Sequence, residues 1–268
     1  MLKIGKIQCK TIMGKSGIGP VDYAINPYLG CSHSCVYCYA RFMSRMGHKG
    51  EEWGSFVDVK ENAVERLKIE VVKKKKGLVL LSSVTDPYQP IEAKFKLTRD
   101  CLEVLLEYQY PVDILTKSSL VLRDLDLIKD FDSIEVGFTI TSFDNDVSKI
   151  FEPETHPITD RLKAMNKLCD EGISTYAFMG PVLPYLTDEN LDLLLDELAS
   201  SVNRIMVDRL NIKSGNKSRT LRVLKENYPD LNSLFEKALS KDSKYFNMFK
   251  RKIIEGCDLR GIPCDVIY

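Results

Sequence analysis

The stretch GLVLLSSVTDPYQPIEAKFKLTRDCLEVLLEYQYPVDILTK, residues 77–117, contains a strand pattern, a helix pattern and a second strand pattern in succession. Gly77–Ser83 and Val112–Lys117 are short apolar runs typical of buried strands, whereas the apolar residues of Thr98–Tyr108 recur with the period of a helix. A strand, a crossover helix and a further strand form the repeating unit of a parallel sheet. The stretch therefore predicts an α/β fold.

The same alternation extends in both directions from this stretch. It gives six strand patterns with helical patterns between them. Six βα units are fewer than the eight of a closed barrel, so we expect an open, three-quarter barrel with its functional site at the C-terminal strand ends. The predicted strands are Ala24–Tyr28, Gly77–Ser83, Val112–Lys117, Ile134–Thr141, Ser174–Pro181 and Arg204–Asn211, and the predicted helices are Glu61–Lys74, Thr98–Tyr108, Leu122–Phe131, Pro157–Gly172 and Asp188–Ser200.

Length and composition fit a single domain. The chain has 268 residues, of which 44% are hydrophobic, and this is enough to form one sizeable core. No stretch rich in glycine, serine or proline interrupts the alternation. We therefore expect one domain over residues 1–268, with a barrel core over about residues 20–212 and a helical C-terminal extension over residues 213–268 that packs on the core.

The charge balance excludes a global attraction to nucleic acid or to an anionic membrane, because 38 Lys and Arg residues face 38 Asp and Glu residues. From Ser201 onward, however, fourteen Lys and Arg residues stand against eight Asp and Glu residues, so contact with nucleic acid stays open. The N-terminus has no apolar run of signal-peptide length, and no segment approaches the roughly 20 apolar residues that span a bilayer. We expect a cytoplasmic protein without a membrane partner.

Three cysteines stand close together in the segment Cys31-Ser-His-Ser-Cys35-Val-Tyr-Cys38. In a reducing compartment, cysteines at such spacing are better explained by metal binding or catalysis than by disulfides. Thiolates are the usual ligands of iron–sulfur clusters, and a four-iron cluster normally takes four of them. Three thiolates leave one iron free to bind a substrate, by the same logic that gives catalytic zinc an exchangeable position.

Two other metal sites are alternatives at this point. A structural zinc ion needs four ligands, and His33 could supply the fourth, although it lies between two of the cysteines. An electron-carrying iron–sulfur protein needs a fourth cysteine, for which Cys9 and Cys101 are the nearest candidates in sequence. The cysteines outside the triplet are expected to be buried or without a role, namely Cys9, Cys101, Cys169, Cys257 and Cys264.

The residues around the triplet carry a family resemblance. The segment Asn26–Arg41, NPYLGCSHSCVYCYAR, resembles the signature of the radical S-adenosylmethionine (SAM) superfamily, and in particular its spore photoproduct lyase-like branch. Further matching words are spread over about residues 20–185, and they are TDPYQPIE at Thr85–Glu92, LTKS at Leu115–Ser118, Arg123-Asp124, Glu152-Pro153 and Arg161.

The resemblance implies a radical SAM enzyme with two cofactors, a four-iron four-sulfur cluster and SAM. Cys31, Cys35 and Cys38 would bind three of the irons, and the amino and carboxylate groups of SAM would bind the fourth. An electron would then cleave SAM to methionine and a 5′-deoxyadenosyl radical that abstracts hydrogen from a substrate. The cofactors supply the reactive chemistry, and the protein orients them. An electron donor of the flavodoxin or ferredoxin class would be a partner.

The resemblance also implies which residues contact SAM and the substrate. Tyr37 would meet the adenine through its backbone, Thr85 and Asp86 would hold the methionyl amino group, and Lys117 would pair with the carboxylate. The remaining implied residues are Thr139 or Thr141 at the ribose hydroxyls, Met179 beside the adenine, and Tyr39, Arg41, Ser83, Tyr88, Gln89 and Glu92 in the substrate pocket.

One position departs from the pattern of the branch. Spore photoproduct lyase has a hydrogen-donating cysteine three residues before its strand-end aspartate, and this chain has Ser83 there. Because a serine O–H bond is too strong to replace a thiol as hydrogen donor, the resemblance does not carry that activity to this chain. The substrate is therefore unidentified. A nucleic-acid lesion lyase or modification enzyme is the alternative within the class, and an iron–sulfur electron carrier or zinc-binding module is the alternative outside it.

Overall fold

The computed structural model describes residues 2–212 and 215–268 and contains two β-sheets flanked by helices. Short 3-10 helices span Tyr39–Arg45, Ser119–Asp124 and Pro229–Leu231. The strands are β1 Lys3–Ile7, β2 Met13–Lys15, β3 Tyr23–Ile25, β4 Tyr28–Leu29, β5 Phe56–Lys60, β6 Val79–Leu81, β7 Val112–Thr116, β8 Ile134–Thr139, β9 Ser174–Val182, β10 Arg204–Arg209 and β11 Cys264–Val266. The α-helices are α1 Ala63–Val71, α2 Glu92–Phe95, α3 Leu97–Glu107, α4 Leu125–Ile128, α5 Asn145–Phe151, α6 Ile158–Asp170, α7 Leu191–Leu198, α8 Lys217–Asn227, α9 Asn232–Ala238 and α10 Tyr245–Asp258.

The larger sheet contains the six predicted strands side by side. Its order is β11-β10-β9-β8-β7-β6-β3-β2, and all neighbours from β3 to β10 are parallel. β11 extends the sheet in parallel at one edge, and β2 extends it in the antiparallel sense at the other. Among the described residues β2 and β11 do not pair with each other, so the sheet is open. The predicted α/β fold is confirmed, and the open, mostly parallel sheet is consistent with the predicted three-quarter barrel.

Helices follow the strands as predicted, with one exception. The helix predicted over Leu122–Phe131 is instead the 3-10 helix Ser119–Asp124 followed by the short α4. Asp124 is fully buried, and its carboxylate accepts hydrogen bonds from Arg99 Nη1 at 3.0 Å and from Arg123 Nη2 at 2.7 Å. The contact with Arg99 of α3 fixes Asp124 at the junction of the two short helices, where the continuous helix would have to pass.

The smaller sheet, in the order β1-β5-β4, is not predicted by the sequence patterns. β1 pairs in parallel with β5, and β4 pairs antiparallel with β5. β1 is mostly exposed and β4 has only two residues, so neither shows a recognisable alternation of apolar and polar residues. The sheet matters for the functional site because β4 ends at Leu29, two residues before the first cysteine of the triplet.

The chain after β10 is helical, in line with the predicted extension, whose first residues, 213 and 214, lie outside the described residues. α8 lies against α5, and α10 lies against α7 and β11. Asn216, just before α8, donates a hydrogen bond from Nδ2 to the backbone oxygen of Tyr37 at 2.5 Å. The C-terminal helices thus contact the cysteine segment as well as the barrel. Among the described residues, no helix has the length and apolar character needed to cross a bilayer.

Side chains of the parallel strands alternate between the barrel interior and the helix layer. On β9, Tyr176 and Phe178 line the interior, whereas Ala177 and Met179 pack in the hydrophobic core. Gly137 of β8 is the register partner of Tyr176, and a Cβ at Gly137 would lie 2.1 Å from the ring carbon Cζ. The glycine therefore makes room for the tyrosine ring inside the barrel.

The free energy of unfolding should fall by about 2 kcal/mol in Gly137→Ala, because the new methyl group overlaps the Tyr176 ring in a packed interior. Urea unfolding of the variant and the natural chain measures the difference. Gly14→Ala is the matched control, since Gly14 also lies in a strand and no atom lies within 4 Å of a Cβ placed there. Equal losses in the two variants would contradict the packing explanation.

Candidate active site

A cavity of about 1240 Å³ occupies the barrel interior. At the C-terminal ends of the strands, its wall includes Cys31, Cys35 and Cys38 together with Lys117 and Thr139. Functional sites of βα barrels lie at this end. The structure thus places the cysteine triplet where the fold predicts a site.

The thiols of the triplet are free, with Cys31 and Cys35 buried and Cys38 half-buried. Burial, reinforced by neighbouring thiols, holds the pKa of Cys35 well above its usual range and raises the pKa of Cys38 to about 11. Such thiols need a nearby positive charge to become thiolates, and the irons of a cluster supply it. The donor set therefore fits an iron–sulfur cluster.

Apolar side chains form part of the surroundings of the triplet. Within residues 2–212 and 215–268, no group of three or more His, Cys, Asp or Glu side chains is gathered closely enough to hold a single metal ion. A four-iron cluster does not require such a gathering, because each thiolate binds a different iron. The buried side chains packed around the triplet include Val36, Tyr37, Ala40, Trp53 and Phe56.

Gln89 fixes the segment that leads into the triplet. Its Oε1 accepts a hydrogen bond from the backbone N–H of Ser32 at 2.8 Å, and its Nε2 donates to Thr85 Oγ1 at 2.8 Å. Thr85 Oγ1 in turn donates to the backbone oxygen of Gly30 at 2.6 Å. Gly30 has a φ of +87°, and a Cβ there would lie 2.5 Å from a backbone oxygen, so this position requires glycine. Gln89 and Thr85 thus hold the residues on both sides of Cys31.

Asp86 is a buried carboxylate that links the loop after β6 to β7 and to the triplet. It accepts hydrogen bonds from Thr116 Oγ1 at 2.7 Å and from the backbone N–H of Lys117 at 2.8 Å. Its Oδ2 lies 3.3 Å from His33 Nδ1. Burial by itself raises the pKa of Asp86, but the positive charge of His33 holds this pKa below its usual range. Burial by itself lowers the pKa of His33, but the pairing with Asp86 outweighs burial and raises this pKa to about 9.

A second buried ion pair ties the triplet to β8. Arg161 Nη2 lies 2.5 Å from Glu152 Oε2, and both side chains are fully buried. Glu152 Oε1 accepts hydrogen bonds from the Tyr37 hydroxyl and, at 3.3 Å, from Thr141 Oγ1. Arg161 Nη1 donates to the backbone oxygen of Thr139 at 2.9 Å. The pair therefore fixes the aromatic residue that precedes the third cysteine relative to the end of β8.

Lys117 and Thr139 stand together in the cavity wall. Lys117 Nζ donates to Thr139 Oγ1 at 3.4 Å. Burial by itself lowers the pKa of Lys117, but the nearby Cys35 and Glu152 side chains raise it above its usual value. The structure thus brings this predicted cation to the same end of the cavity as the thiols.

Two predicted SAM-contacting residues lie away from the cavity wall. Thr141 is buried against Glu152, and Met179 is buried in the hydrophobic core. Phe178 and Gly180, the β9 residues on either side of Met179, line the cavity instead, because side chains alternate along the strand. The wall beside Met179 is therefore formed by its neighbours.

Among the predicted pocket residues, Tyr39 and Ser83 line the cavity. Tyr39 is 42% exposed, and its hydroxyl donates to the backbone oxygen of Ser83. Sequence reasoning gave no role to Asn26, which holds this loop: its Oδ1 accepts from the backbone N–H groups of Ser83 at 3.0 Å and Val84 at 2.9 Å. Its place just before the triplet, in a segment that matches the family signature, is the signal that could have found it.

Other predicted pocket residues form the support behind the cavity. Tyr88 and Glu92, like Gln89, are fully buried. Glu92 accepts hydrogen bonds from the Tyr28 hydroxyl and, at 2.7 Å, from Arg123 Nη2. Arg41 lies in the 3-10 helix that follows Cys38, and it is not part of the described cavity wall.

The opposite end of the cavity carries a polar group that sequence reasoning missed. The Tyr176 hydroxyl donates to Asp113 Oδ1 at 2.9 Å, and Arg204 Nη2 lies 2.5 Å from Glu135 Oε2. The guanidinium carbon of Arg204 lies 4.6 Å from the centre of the Tyr176 ring. Burial, reinforced by the charge of Glu135, raises the pKa of Asp113 to about 6. The available signal was a charged residue near the start of each of β7, β8 and β10, namely Asp113, Glu135 and Arg204.

Sequence comparisons give related proteins over most of the chain. A model described as the Radical SAM superfamily matches residues 25–198. An uncharacterized protein of Methanocaldococcus jannaschii is 40% identical over 229 residues, which cover 85% of each chain. An uncharacterized protein of Mycobacterium tuberculosis is 29% identical over 243 residues, covering 86% of this chain and 72% of the relative. A radical SAM Nα-GlyT isomerase of Pseudomonas phage M6 is 26% identical over 186 residues, covering 68% of this chain and 38% of the isomerase.

Solved structures share the fold. Spore photoproduct lyase complexed with dinucleoside spore photoproduct matches with a TM-score of 0.68 at 17% identity, covering 99% of this chain and 82% of the lyase. SuiB of Streptococcus suis bound to S-adenosylmethionine matches with a TM-score of 0.55 at 11% identity, covering 90% of this chain and 48% of SuiB. At these identities the likeness concerns the fold alone.

Gln89→Met should lower the iron content of the reconstituted protein by at least about half and the free energy of unfolding by about 2 kcal/mol, because the backbone N–H of Ser32 loses its buried acceptor. Iron analysis and urea unfolding measure the two effects. Gln109→Met is the matched control, since Gln109 also bridges two backbone groups, at Asp130 and Asp132, away from the triplet. Full iron content in Gln89→Met would contradict the assigned role.

The Asp113 pKa, raised from 3.8 to about 6 in the folded chain, predicts a pH dependence of stability. Because the folded state holds this proton more tightly than the unfolded state, the stabilising contribution is complete below about pH 4 and is lost as the pH rises through 6. Across this window the free energy of unfolding of the natural chain should fall by about 3 kcal/mol relative to that of Asp113→Asn, as measured by urea unfolding. Asp132→Asn, an exposed carboxylate at the same barrel end, should keep the natural profile. If the stability of Asp113→Asn changed with pH in parallel with that of the natural chain, the assignment of this pH dependence to Asp113 would be refuted.

Proposed function

Because the chain belongs to the radical SAM superfamily, whose members use a four-iron four-sulfur cluster and SAM, we propose that Cys31, Cys35 and Cys38 hold this cluster. The protein is a radical SAM enzyme, and its cofactors are those of the family. The observation that carries the residue assignment is that three thiols of one loop line the same end of the barrel cavity as Lys117. When both cofactors are bound, an electron from the cluster cleaves SAM to methionine and a 5′-deoxyadenosyl radical.

The chain's own residues orient SAM in this proposal. Lys117 Nζ pairs with the carboxylate, and Thr139 Oγ1, within 3.4 Å of it, contacts the ribose hydroxyls. Thr85 and Asp86 accept hydrogen bonds from the amino group. They use oxygen lone pairs that take no part in the hydrogen bonds within the protein. The backbone of Tyr37 and the β9 residues beside Met179 flank the adenine, with Phe178 and Gly180 forming the cavity wall there.

The substrate would lie in the cavity next to the cysteine triplet, where Tyr39 and Ser83 form part of the wall. The radical abstracts a hydrogen atom from it. Ser83 cannot return hydrogen as a thiol does, so repair of the spore photoproduct is not the reaction we propose. Modification of a nucleic acid is the second candidate, supported by the excess of Lys and Arg in the C-terminal third. A gel shift that weakens steeply with salt supports this candidate.

Two further assignments belong to this proposal. Radical SAM enzymes need a reductant, and we assign a flavodoxin or ferredoxin to this role. The place of action is the cytoplasm, where thiols stay reduced.

Anaerobic reconstitution should give about four irons and four sulfides per chain, as a four-iron cluster requires, and dithionite with SAM should then yield 5′-deoxyadenosine. Cys38→Ala should abolish this product while the barrel stays folded, because the residue is a cluster ligand at the half-buried edge of the site. Cys169→Ala is the matched control, since Cys169 lies on α6 outside the site and should leave the yield unchanged. Product analysis by chromatography and far-UV circular dichroism measure the outcomes.

An intact four-iron cluster that yields no 5′-deoxyadenosine would refute the proposal. Unfolding of Cys38→Ala, with no effect of SAM on the natural protein, would instead favour a zinc-stabilised module or an electron carrier. SAM should also perturb the paramagnetic spectrum of the reduced cluster.

A further inference from the structure

Three arginines lie together beside the cysteine triplet, and we call Arg41, Arg219 and Arg222 the arginine cluster. Arg41 lies in the 3-10 helix after Cys38, and the other two lie one turn apart on α8. Burial lowers the pKa of Arg219, and the positive charges of Arg41 and Arg222 lower it further. Glu52 is the acidic side chain next to Arg219. It is 68% exposed, and its Oε1 lies 3.8 Å from Arg219 Nη2. The cluster therefore presents a net positive surface on a chain whose overall charge is zero.

Arg219 joins the arginine cluster to the segment between Cys31 and Cys35. Arg219 Nη2 lies 3.2 Å from Ser34 Oγ and 3.4 Å from the Ser34 backbone oxygen, and Nη1 donates to the backbone oxygen of Trp53 at 3.1 Å. Ser34 directly precedes Cys35, so one residue separates the basic surface from a proposed cluster ligand. Arg219 is half-buried and bridges two segments, whereas Arg222 is exposed and free to meet a partner in solution.

The arginine cluster is not part of the cavity wall. The described wall includes the three cysteines but none of the three arginines. A substrate must enter the cavity to meet the radical, whereas an electron needs only a short path to the iron. A charged surface that is next to the cluster loop and outside the cavity therefore fits a source of electrons better than a substrate.

Building on the proposed function, we propose that the arginine cluster is the docking surface for an acidic one-electron carrier protein of the flavodoxin or ferredoxin class. Opposite charges on the two proteins speed their encounter and orient the carrier toward the triplet. In each encounter the carrier is oxidised by one electron and the iron–sulfur cluster is reduced by one, and no bond forms or breaks between the proteins.

The test compares two reductants with the same reconstituted protein. Reduced flavodoxin or dithionite drives SAM cleavage, and 5′-deoxyadenosine is measured at low and high salt. Arg222→Glu should raise the KM for flavodoxin about tenfold at low salt and leave the dithionite-driven rate unchanged, because dithionite needs no docking surface. Glu52→Gln, which removes the acidic neighbour, should lower the KM for flavodoxin about twofold. Arg251→Glu is the matched control, since Arg251 is an exposed arginine on α10, and it should behave as the natural chain.

Binding of oxidised flavodoxin to the reconstituted protein, measured by calorimetry, tests the surface without SAM cleavage. Arg222→Glu should weaken this binding about tenfold, and Arg251→Glu should not. If 5′-deoxyadenosine fails to form even with dithionite, the proposed function fails, and calorimetry still decides whether the surface binds the carrier.

Unchanged flavodoxin affinity and KM in Arg222→Glu would overturn the docking surface. Loss of binding to a labelled DNA oligonucleotide in Arg222→Glu, with unchanged flavodoxin kinetics, would also overturn the docking surface, because the arginines would then bind a nucleic acid.

Discussion

The buried ion pair between Glu152 and Arg161 is the constraint on which the arrangement of the site depends. Removing two charges from water costs several kcal/mol for each, and only close pairing with a full set of hydrogen bonds offsets this cost. Arg161 meets the requirement by donating to the backbone oxygens of His156 at 2.8 Å and Thr139 at 2.9 Å as well as to Glu152. Glu152 accepts a hydrogen bond from the Tyr37 hydroxyl. One interaction thereby fixes α6, the end of β8 and the cysteine segment relative to one another.

Much of the fold could be predicted from the sequence because parallel strands are buried on both faces. Such strands appear as short apolar runs, and the helices between them show a different period, so all six strands of the barrel could be located. The cysteine triplet could be identified for a similar reason, since its chemistry depends on spacing along one loop. The small sheet escaped detection because its strands are exposed or too short to show a pattern.

The roles of single residues were harder to predict, because they depend on where a loop folds rather than on which residues it contains. Within the word TDPYQPIE, Gln89 and Glu92 carry hydrogen bonds that hold other segments, whereas their sequence context suggested the substrate pocket. On β9 the prediction of Met179 differs by one residue from the side chain that lines the wall, Phe178. A shift of one residue along a strand moves a side chain to the opposite face.

The position of the three thiols in the cavity wall has a consequence for how the protein matures. Cys31 and Cys35 are only 6% and 7% exposed, whereas Cys38 is the half-buried member of the triplet. Iron and sulfide that enter the cavity of an already folded chain can reach all three thiols, because each of these cysteines lines the wall, and Cys38 is the most exposed of them. The hydrogen bonds that Gln89 makes to this loop keep the thiols directed at the cavity, so the loop that orients the finished cofactor also prepares the place where it is assembled.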